Sequence, residues 1–167
     1  AVIGGLLMGY GAYGSDLEKR MIDYSRRNLD WLSANHPGLP AFQLEAGDAT
    51  THTWSPLPQL VAAEGYLGKP FTTTPRPETL AQTIFECNTI IRKALTNLAA
   101  QLPSGTRFCL AVPAWSVNGK ISHLPLIDQL PRLGYNTVDF ERTGGQPLLY
   151  HRPDQIVARQ LLVITMK

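Results

Sequence analysis

The chain has 167 residues, 44% hydrophobic and 17% charged, a balance that supports a sizeable core and excludes disorder beyond short loops. Its 15 basic and 13 acidic residues leave a net charge of +2, too small for charge alone to point to a nucleic-acid partner. No run of about 18 apolar residues is present, so no segment reads as a helical membrane span.

The opening stretch, Ala1 to Met8, is apolar but lacks a basic leader and reads poorly as a signal peptide. It reads instead as the last turns of a helix stopped by Gly9 and Gly11, so the chain opens as a cut end or as a fragment of a longer protein. A short strand over Ala12 to Ser15 leads to Asp16. A helix over Leu17 to Ser33 follows, with Leu17, Met21, Tyr24 and Leu32, and also Ile22 and Leu29, at helical spacing. Asn35-His36-Pro37-Gly38 stops it. Ala41 to Ala46 alternates as a strand and ends at Gly47-Asp48, and Leu60 to Ala63 is the next strand. The proline- and threonine-rich stretch Lys69 to Glu78 is a loop. Its basic pair, Lys69 and Arg76, reads first as solvated surface and second as a phosphate contact.

A long helix spans Glu78 to Leu102, with Phe85, Ile91, Leu95 and Leu98 on its expected buried face. Arg107 to Val112 is the kind of apolar run expected of a central strand. Leu124 to Leu133 is a helix ended by Gly134, and Thr137 to Phe140 is a strand. Leu148 to His151 and Val157 to Thr165 form a closing antiparallel pair around the turn Arg152-Pro153-Asp154-Gln155. Alternating strands and helices predict one α/β domain over 1–167, with a mostly parallel sheet, helices on both faces and an antiparallel C-terminal hairpin. Cys87 and Cys109 read as two buried free thiols, which suits a reducing, cytoplasmic setting.

Three strand ends carry an acid: Asp16, Asp48 and Glu64. In an open α/β sheet ligands bind at the carboxyl ends of the strands. Leu60-Val61-Ala62-Ala63-Glu64-Gly65-Tyr66-Leu67-Gly68 is the most telling of the three. A carboxylate there accepts hydrogen bonds, and the adjacent ring offers a flat face to a planar substrate such as a nucleobase. The plain alternatives are an N-cap at Ser15 or Asp16, a turn at Gly47-Asp48, and a surface turn with a core tyrosine at Glu64 to Tyr66.

This ordered set resembles the class I S-adenosylmethionine-dependent methyltransferases, and within them the amino-methylating branch of DNA modification methylases and THUMP-bearing tRNA guanine-amino methyltransferases. Leu6-Leu7-Met8-Gly9-Tyr10-Gly11-Ala12-Tyr13-Gly14-Ser15-Asp16-Leu17 is similar to their passage from first helix to second strand. Leu149-Tyr150-His151-Arg152 with Val157-Ala158-Arg159-Gln160 is similar to their closing hairpin. The resemblance implies a Rossmann-like fold whose first strand and Gly-rich loop are missing from this chain. It follows that these residues alone should bind cofactor weakly, and that self-association would be a way to close the gap. The family's Asp/Asn-Pro-Pro-Tyr/Phe tetrapeptide here reads Glu64-Gly65-Tyr66-Leu67, without its prolines. Proline stiffens a loop and glycine loosens it, which keeps open a non-catalytic relative that binds nucleic acid or steadies a partner.

The resemblance also implies roles. S-adenosyl-L-methionine is the cofactor, with Asp16 accepting from its ribose hydroxyls beside Leu17, and Asp48 accepting from its adenine amine with Ala49 against the ring. Glu64 and the carbonyl of Gly65 would take hydrogen bonds from an exocyclic amine of a base, and Tyr66 would stack on that base. The implied partner is nucleic acid, with tRNA or other RNA favoured and DNA open. A dinucleotide-dependent reductase is a distant alternative, and no Gly-x-Gly-x-x-Gly supports it. The histidines His36, His52, His123 and His151 match no metal spacing, so no metal is expected. Trp54 and Trp115, near expected loops, read as core or rim packing before pocket lining. No Gly-x-Ser-x-Gly elbow is present to indicate a hydrolase.

Overall fold

The computed structural model describes residues 1–152 and 155–167. The chain divides into two compact units, Ala1–Trp54 and Ser55–Lys167.

In the first unit α1 (Val2–Leu7), β1 (Ala12–Asp16), α2 (Lys19–Asn35) and β2 (Phe42–Ala46) follow in order. β1 and β2 pair in parallel, from Ala12 opposite Phe42 to Asp16 opposite Ala46. Leu6, Ile22, Leu29, Leu32 and Leu44 form the core, with Val2, Ala12, Leu39 and Phe42 against it. Each fully buried aliphatic side chain stabilises by roughly 1.5–3 kcal/mol. Gly14 is what lets this core close: a Cβ there would lie 2.8 Å from both Val2 Cγ2 and Leu44 Cδ2. The core stripe of α2 is narrower than expected. Ile22, Leu29 and Leu32 are buried, whereas Leu17, Met21 and Tyr24 are exposed. Leu17 precedes the helix, and Met21 and Tyr24 lie off the stripe set by 22, 29 and 32.

The second unit holds β3 (Leu60–Glu64), β4 (Arg107–Val117), β5 (Lys120–Ser122), β6 (Tyr135–Thr137), β7 (Leu148–Tyr150) and β8 (Val157–Met166); its sheet runs β3-β4-β8-β6, with β5 added to β4 and β7 to β8. β3 (Leu60–Glu64) pairs in parallel with β4 (Arg107–Val117) through the crossover helix α3 (Pro77–Ala99). α3 opens with proline at its start and Glu78 in its first turn, the chemistry a helix N-terminus favours. Its buried stripe is Thr83, Cys87, Ile91, Leu95 and Leu98. Phe85 is 65% exposed, against expectation, because it sits two residues from both Thr83 and Cys87 and so on the far side of the helix. The 3-10 segment Ile127–Leu133 ends at Gly134 in the left-handed region (φ 90°). It is tied to α3 by Leu126 N donating to Asn88 Oδ1 at 2.8 Å and by the Tyr135 hydroxyl donating to Leu95 O at 2.7 Å.

β4 runs five residues past the expected end, through Pro113, and turns at Asn118-Gly119 (φ 51° and 74°) into β5 (Lys120–Ser122). Pro113 is tolerated because its edge is unpaired there: β3 stops at Ala111 and β5 begins at Trp115. Trp115 is consequently a fully buried strand residue, not a loop residue. β4 alternates along its first half, with Phe108, Leu110 and Val112 buried and Arg107 and Cys109 exposed. Cys87 is therefore a buried thiol, whereas Cys109 is exposed. β6 is Tyr135–Thr137, so the expected strand over 137–140 is mostly loop followed by a 3-10 turn at Glu141–Thr143. β7 (Leu148–Tyr150) and β8 (Val157–Met166) pair antiparallel as expected. β8 is not an edge strand, however: it lies between β4 on one side and β6 and β7 on the other. Of the expected hairpin turn, Pro153 and Asp154 lie outside the described residues.

Candidate active site

Asp16 and Asp48 share the carboxyl end of the parallel pair in the first unit. Gly47 N donates to Asp16 O at 2.9 Å, which joins the two strand ends directly. Asp16 Oδ1 accepts from Glu18 N at 2.8 Å, closing a turn just before α2. Asp48 Oδ1 accepts from Thr50 N at 2.9 Å, and its carbonyl accepts from Thr51 N and His52 N at 2.9 and 2.7 Å. The turn reading of Gly47-Asp48 is thus present in the geometry, whereas the expected cap at Ser15 or Asp16 is not: α2 begins two residues later than expected, and its N-cap is Glu18. The Glu18 bond does not exhaust the Asp16 carboxylate, which offers about four lone-pair sites. Leu17 beside Asp16 is 68% exposed, an apolar surface at the same strand end.

Behind these strand ends lies a polar cluster the sequence reading did not find. The Tyr13 hydroxyl donates to Glu45 Oε2 at 2.5 Å and lies 2.9 Å from His52 Nε2. A hydroxyl has one proton; with it directed at Glu45, His52 Nε2 is the donor to the Tyr13 oxygen. Gln43 donates to Glu45 Oε1 at 2.5 Å. The indole of Trp54 meets the His52 ring edge-on at 5.1 Å and donates to Ser15 Oγ at 3.3 Å. Burial, with the Glu45 bond second, pushes the Tyr13 phenol up to about 12. The Tyr13 bond, then the Gln43 bond, holds the Glu45 carboxyl below its ordinary value. A Cβ at Gly47 would collide with the His52 ring, 2.8 Å from Cγ and Cε1 and closer still to Nδ1. The missed signal was period-two alternation, which puts Tyr13 and Ser15 of β1 on one face together with Glu45 of β2.

Glu64, Gly65 and Tyr66 belong to the second unit, at the carboxyl end of β3. Gly65 N donates to Ala111 O at 2.8 Å, extending the β3–β4 ladder past Glu64. A Cβ at Gly65 would come 3.2 Å from Ile91 Cδ1. At Gly68 (φ 81°) a Cβ would come 2.7 Å from Thr83 Cγ2 and 3.2 Å from Cys87 Sγ. The glycines thus seat this loop tightly on α3. Tyr66 is 41% exposed, a ring at the surface and not the core tyrosine of the plain alternative. Glu64 is paired, which no local pattern signals: Arg159 Nε of β8 donates to Glu64 Oε1. Arg159 stands opposite Pro113, just beyond the last β3 pair, so its side chain can reach across the end of β4. The side chains are 33% exposed for Arg159 and 52% for Glu64, and pairs this wet contribute about 0.2–1 kcal/mol. Beside Arg159 opens a groove of about 250 Å³, lined also by Leu67, Phe71, Gln155 and Ile156.

No family model matches the sequence, and no curated protein matches it. Solved structures do. A methyltransferase from Methanosarcina mazei described as S-adenosylmethionine-dependent superposes with a TM-score of 0.60 at 11% identity, over 98% of this chain and 85% of its own. The magnesium protoporphyrin IX methyltransferase of Synechocystis, with bound S-adenosylhomocysteine, gives 0.60 at 12% identity over 99% and 68%. A glycopeptide N-methyltransferase complexed with S-adenosylmethionine gives 0.56 at 12% identity over 99% and 76%. The fold is that of the S-adenosylmethionine-dependent methyltransferases. At such identities the likeness is one of fold, and the two named substrates, a porphyrin and a glycopeptide, show that this fold does not select a substrate. Among the described residues no three His, Cys, Asp or Glu side chains are arranged to hold a metal ion, and no helix is long and apolar enough to cross a membrane.

Proposed function

We propose that this protein transfers a methyl group from S-adenosylmethionine to an exocyclic amine of a nucleic-acid base, with RNA favoured over DNA. The observation that carries the reading is the placement of Asp16 and Asp48. Both lie at the carboxyl ends of adjacent parallel strands, in a fold whose solved neighbours include structures with this cofactor or its demethylated product bound. When bound, the cofactor supplies an electrophilic methyl on a sulfonium. Asp16 would accept from the ribose hydroxyls with Leu17 alongside, and Asp48 from the adenine amine with Ala49 against the ring. Acceptor-only carboxylates suit both sets of donors. Glu64 and the Gly65 carbonyl would draw hydrogen bonds from the target amine, which loosens its lone pair from the ring, and Tyr66 would stack on the base. A target inside a duplex has to be flipped out first.

The test is methyl transfer to tRNA and to DNA, together with calorimetry of cofactor binding. Loss of a charge-assisted bond of roughly 1.5–3 kcal/mol predicts that Asp16→Ala weakens cofactor binding about tenfold to a hundredfold. Unchanged affinity removes the ribose role. Glu64→Ala should abolish transfer and leave cofactor binding intact; retained turnover sinks its assignment. One observation favours a second reading, a non-catalytic nucleic-acid-binding subunit: Arg159 already occupies the carboxylate that would receive the amine. Nucleic-acid binding with no transfer to any substrate would favour that alternative.

A further inference from the structure

We propose that Arg159 is a subsite for a backbone phosphate of single-stranded nucleic acid, and that the phosphate takes Arg159 from Glu64 and so frees that carboxylate. The inference rests on the amine-accepting role of Glu64 proposed above. Arg159 lines the groove beside Leu67 and Phe71 and is anchored in a strand paired on both edges, with Pro113 opposite it on β4 and Tyr150 opposite it on β7. Its backbone is therefore fixed while its side chain remains a third exposed. Nε is the donor to Glu64. A guanidinium carries five N–H groups in a planar fork, and that fork matches a phosphate in a way a single carboxylate oxygen does not use up.

The surroundings suit an anion with bases attached. The Tyr150 phenol is held below its ordinary value, first by a hydrogen bond from Arg152 and then by the charges of Arg152 and Arg159. That end of the β7–β8 pair is thus electropositive. Tyr150 and Tyr66 are 51% and 41% exposed and offer ring faces of the kind on which bases stack whatever their sequence. Glu64 is more exposed than Arg159, so breaking their pair returns the carboxylate to water with little desolvation to undo. The phosphate adds one negative charge beside the freed carboxylate, and Arg152 supplies a second positive charge at this end of the β7–β8 pair.

Fluorescence anisotropy with a short, labelled single-stranded ribo-oligonucleotide, with inorganic phosphate as competitor, reads this without turnover. Arg159→Gln should weaken binding about tenfold and lower the slope of log Kd against log salt by about one phosphate contact. Glu64→Gln should tighten binding, because it removes the competing anion. A structural ion pair away from the bound strand would leave both affinities unchanged. Arg159→Lys, which keeps the charge without the fork, should fall between wild type and Arg159→Gln and covers the case in which Arg159→Gln does not fold. Unchanged affinity in a folded Arg159→Gln, or weaker binding by Glu64→Gln, overturns the proposal. These shifts in a protein that transfers no methyl group would refute only the catalytic reading. Turnover with an RNA affinity indifferent to Arg159 would refute only the subsite.

Discussion

Gly47→Ala is the most direct probe of the cluster behind the Asp48 turn. The backbone at Gly47 is not left-handed, so alanine is conformationally permitted there. In isolation the change would stabilise by about 0.4–1 kcal/mol, through the unfolded chain. What opposes it is the imidazole of His52, which occupies the place of the new methyl. Overpacking of this kind costs about 1–3 kcal/mol. Moving the ring also gives up its hydrogen bond with Tyr13, worth about 0.5–1.5 kcal/mol. The expected net loss is about 0.5–4 kcal/mol. In a His52→Ala background the obstacle is gone, and the same substitution should be neutral or slightly stabilising. Urea unfolding of the four proteins of this double-mutant cycle, followed by circular dichroism, gives the coupling energy. A Gly47→Ala cost that is the same with and without the imidazole would show that the ring is not what demands glycine.

The same cluster makes stability depend on pH at both ends. Glu45 is held below its ordinary 4.5, so the stability it contributes is present above that pH and is lost as pH falls through the lower folded value. Tyr13 is pushed from 10 to about 12, so its contribution is present below pH 10 and is lost as pH rises through 12. Tyr13→Phe should flatten both limbs of a plot of unfolding midpoint against pH, and an unaltered plot would refute the link. A thiol reagent under native conditions should modify Cys109 and spare Cys87, which is fully buried and whose thiol burial pushes up to about 11. Mass spectrometry of the digested product reads the result, and equal labelling would contradict the burial.

The order of elements was legible because it rests on long periodic segments and on glycine and proline breaks. α2 and α3 lie within two or three residues of the spans read from sequence. What escaped depends on partners far along the chain. Phe85 looks like core until the 83-87-91-95 stripe is seen to exclude it. The apolar run Arg107 to Val112 shows only the first half of β4, because a strand that continues through Pro113 depends on the neighbouring strands leaving that edge unpaired. The Asn118-Gly119 pair that turns the chain there was a readable hairpin signal. At the site, the three acids could be read as strand ends. The Glu64–Arg159 pair spans 95 positions, and the Tyr13–His52 contact spans 39; no local pattern encodes either.

The loop at Glu64 shows why composition misleads about stiffness. Its glycines were read as loosening a segment that proline would brace, yet in the folded protein they serve close approach. Gly68 adopts a left-handed conformation against Thr83 and Cys87, and Gly65 sits under Ile91 with its N–H given to Ala111. Gly65→Pro, which restores the residue type of the resembled tetrapeptide, should therefore destabilise. It removes a bond worth about 0.5–1.5 kcal/mol and leaves the Ala111 carbonyl to find another donor. Gly65→Ala should cost much less, because only the flexible tip of Ile91 has to yield. Thermal unfolding of the two variants separates the explanations. If bracing is what the loop lacks, the proline variant melts above wild type. If packing on α3 and the β4 ladder already fix the loop, it melts below the alanine variant, and a proline variant as stable as wild type would mean that the Gly65–Ala111 bond does not hold the strand end in place.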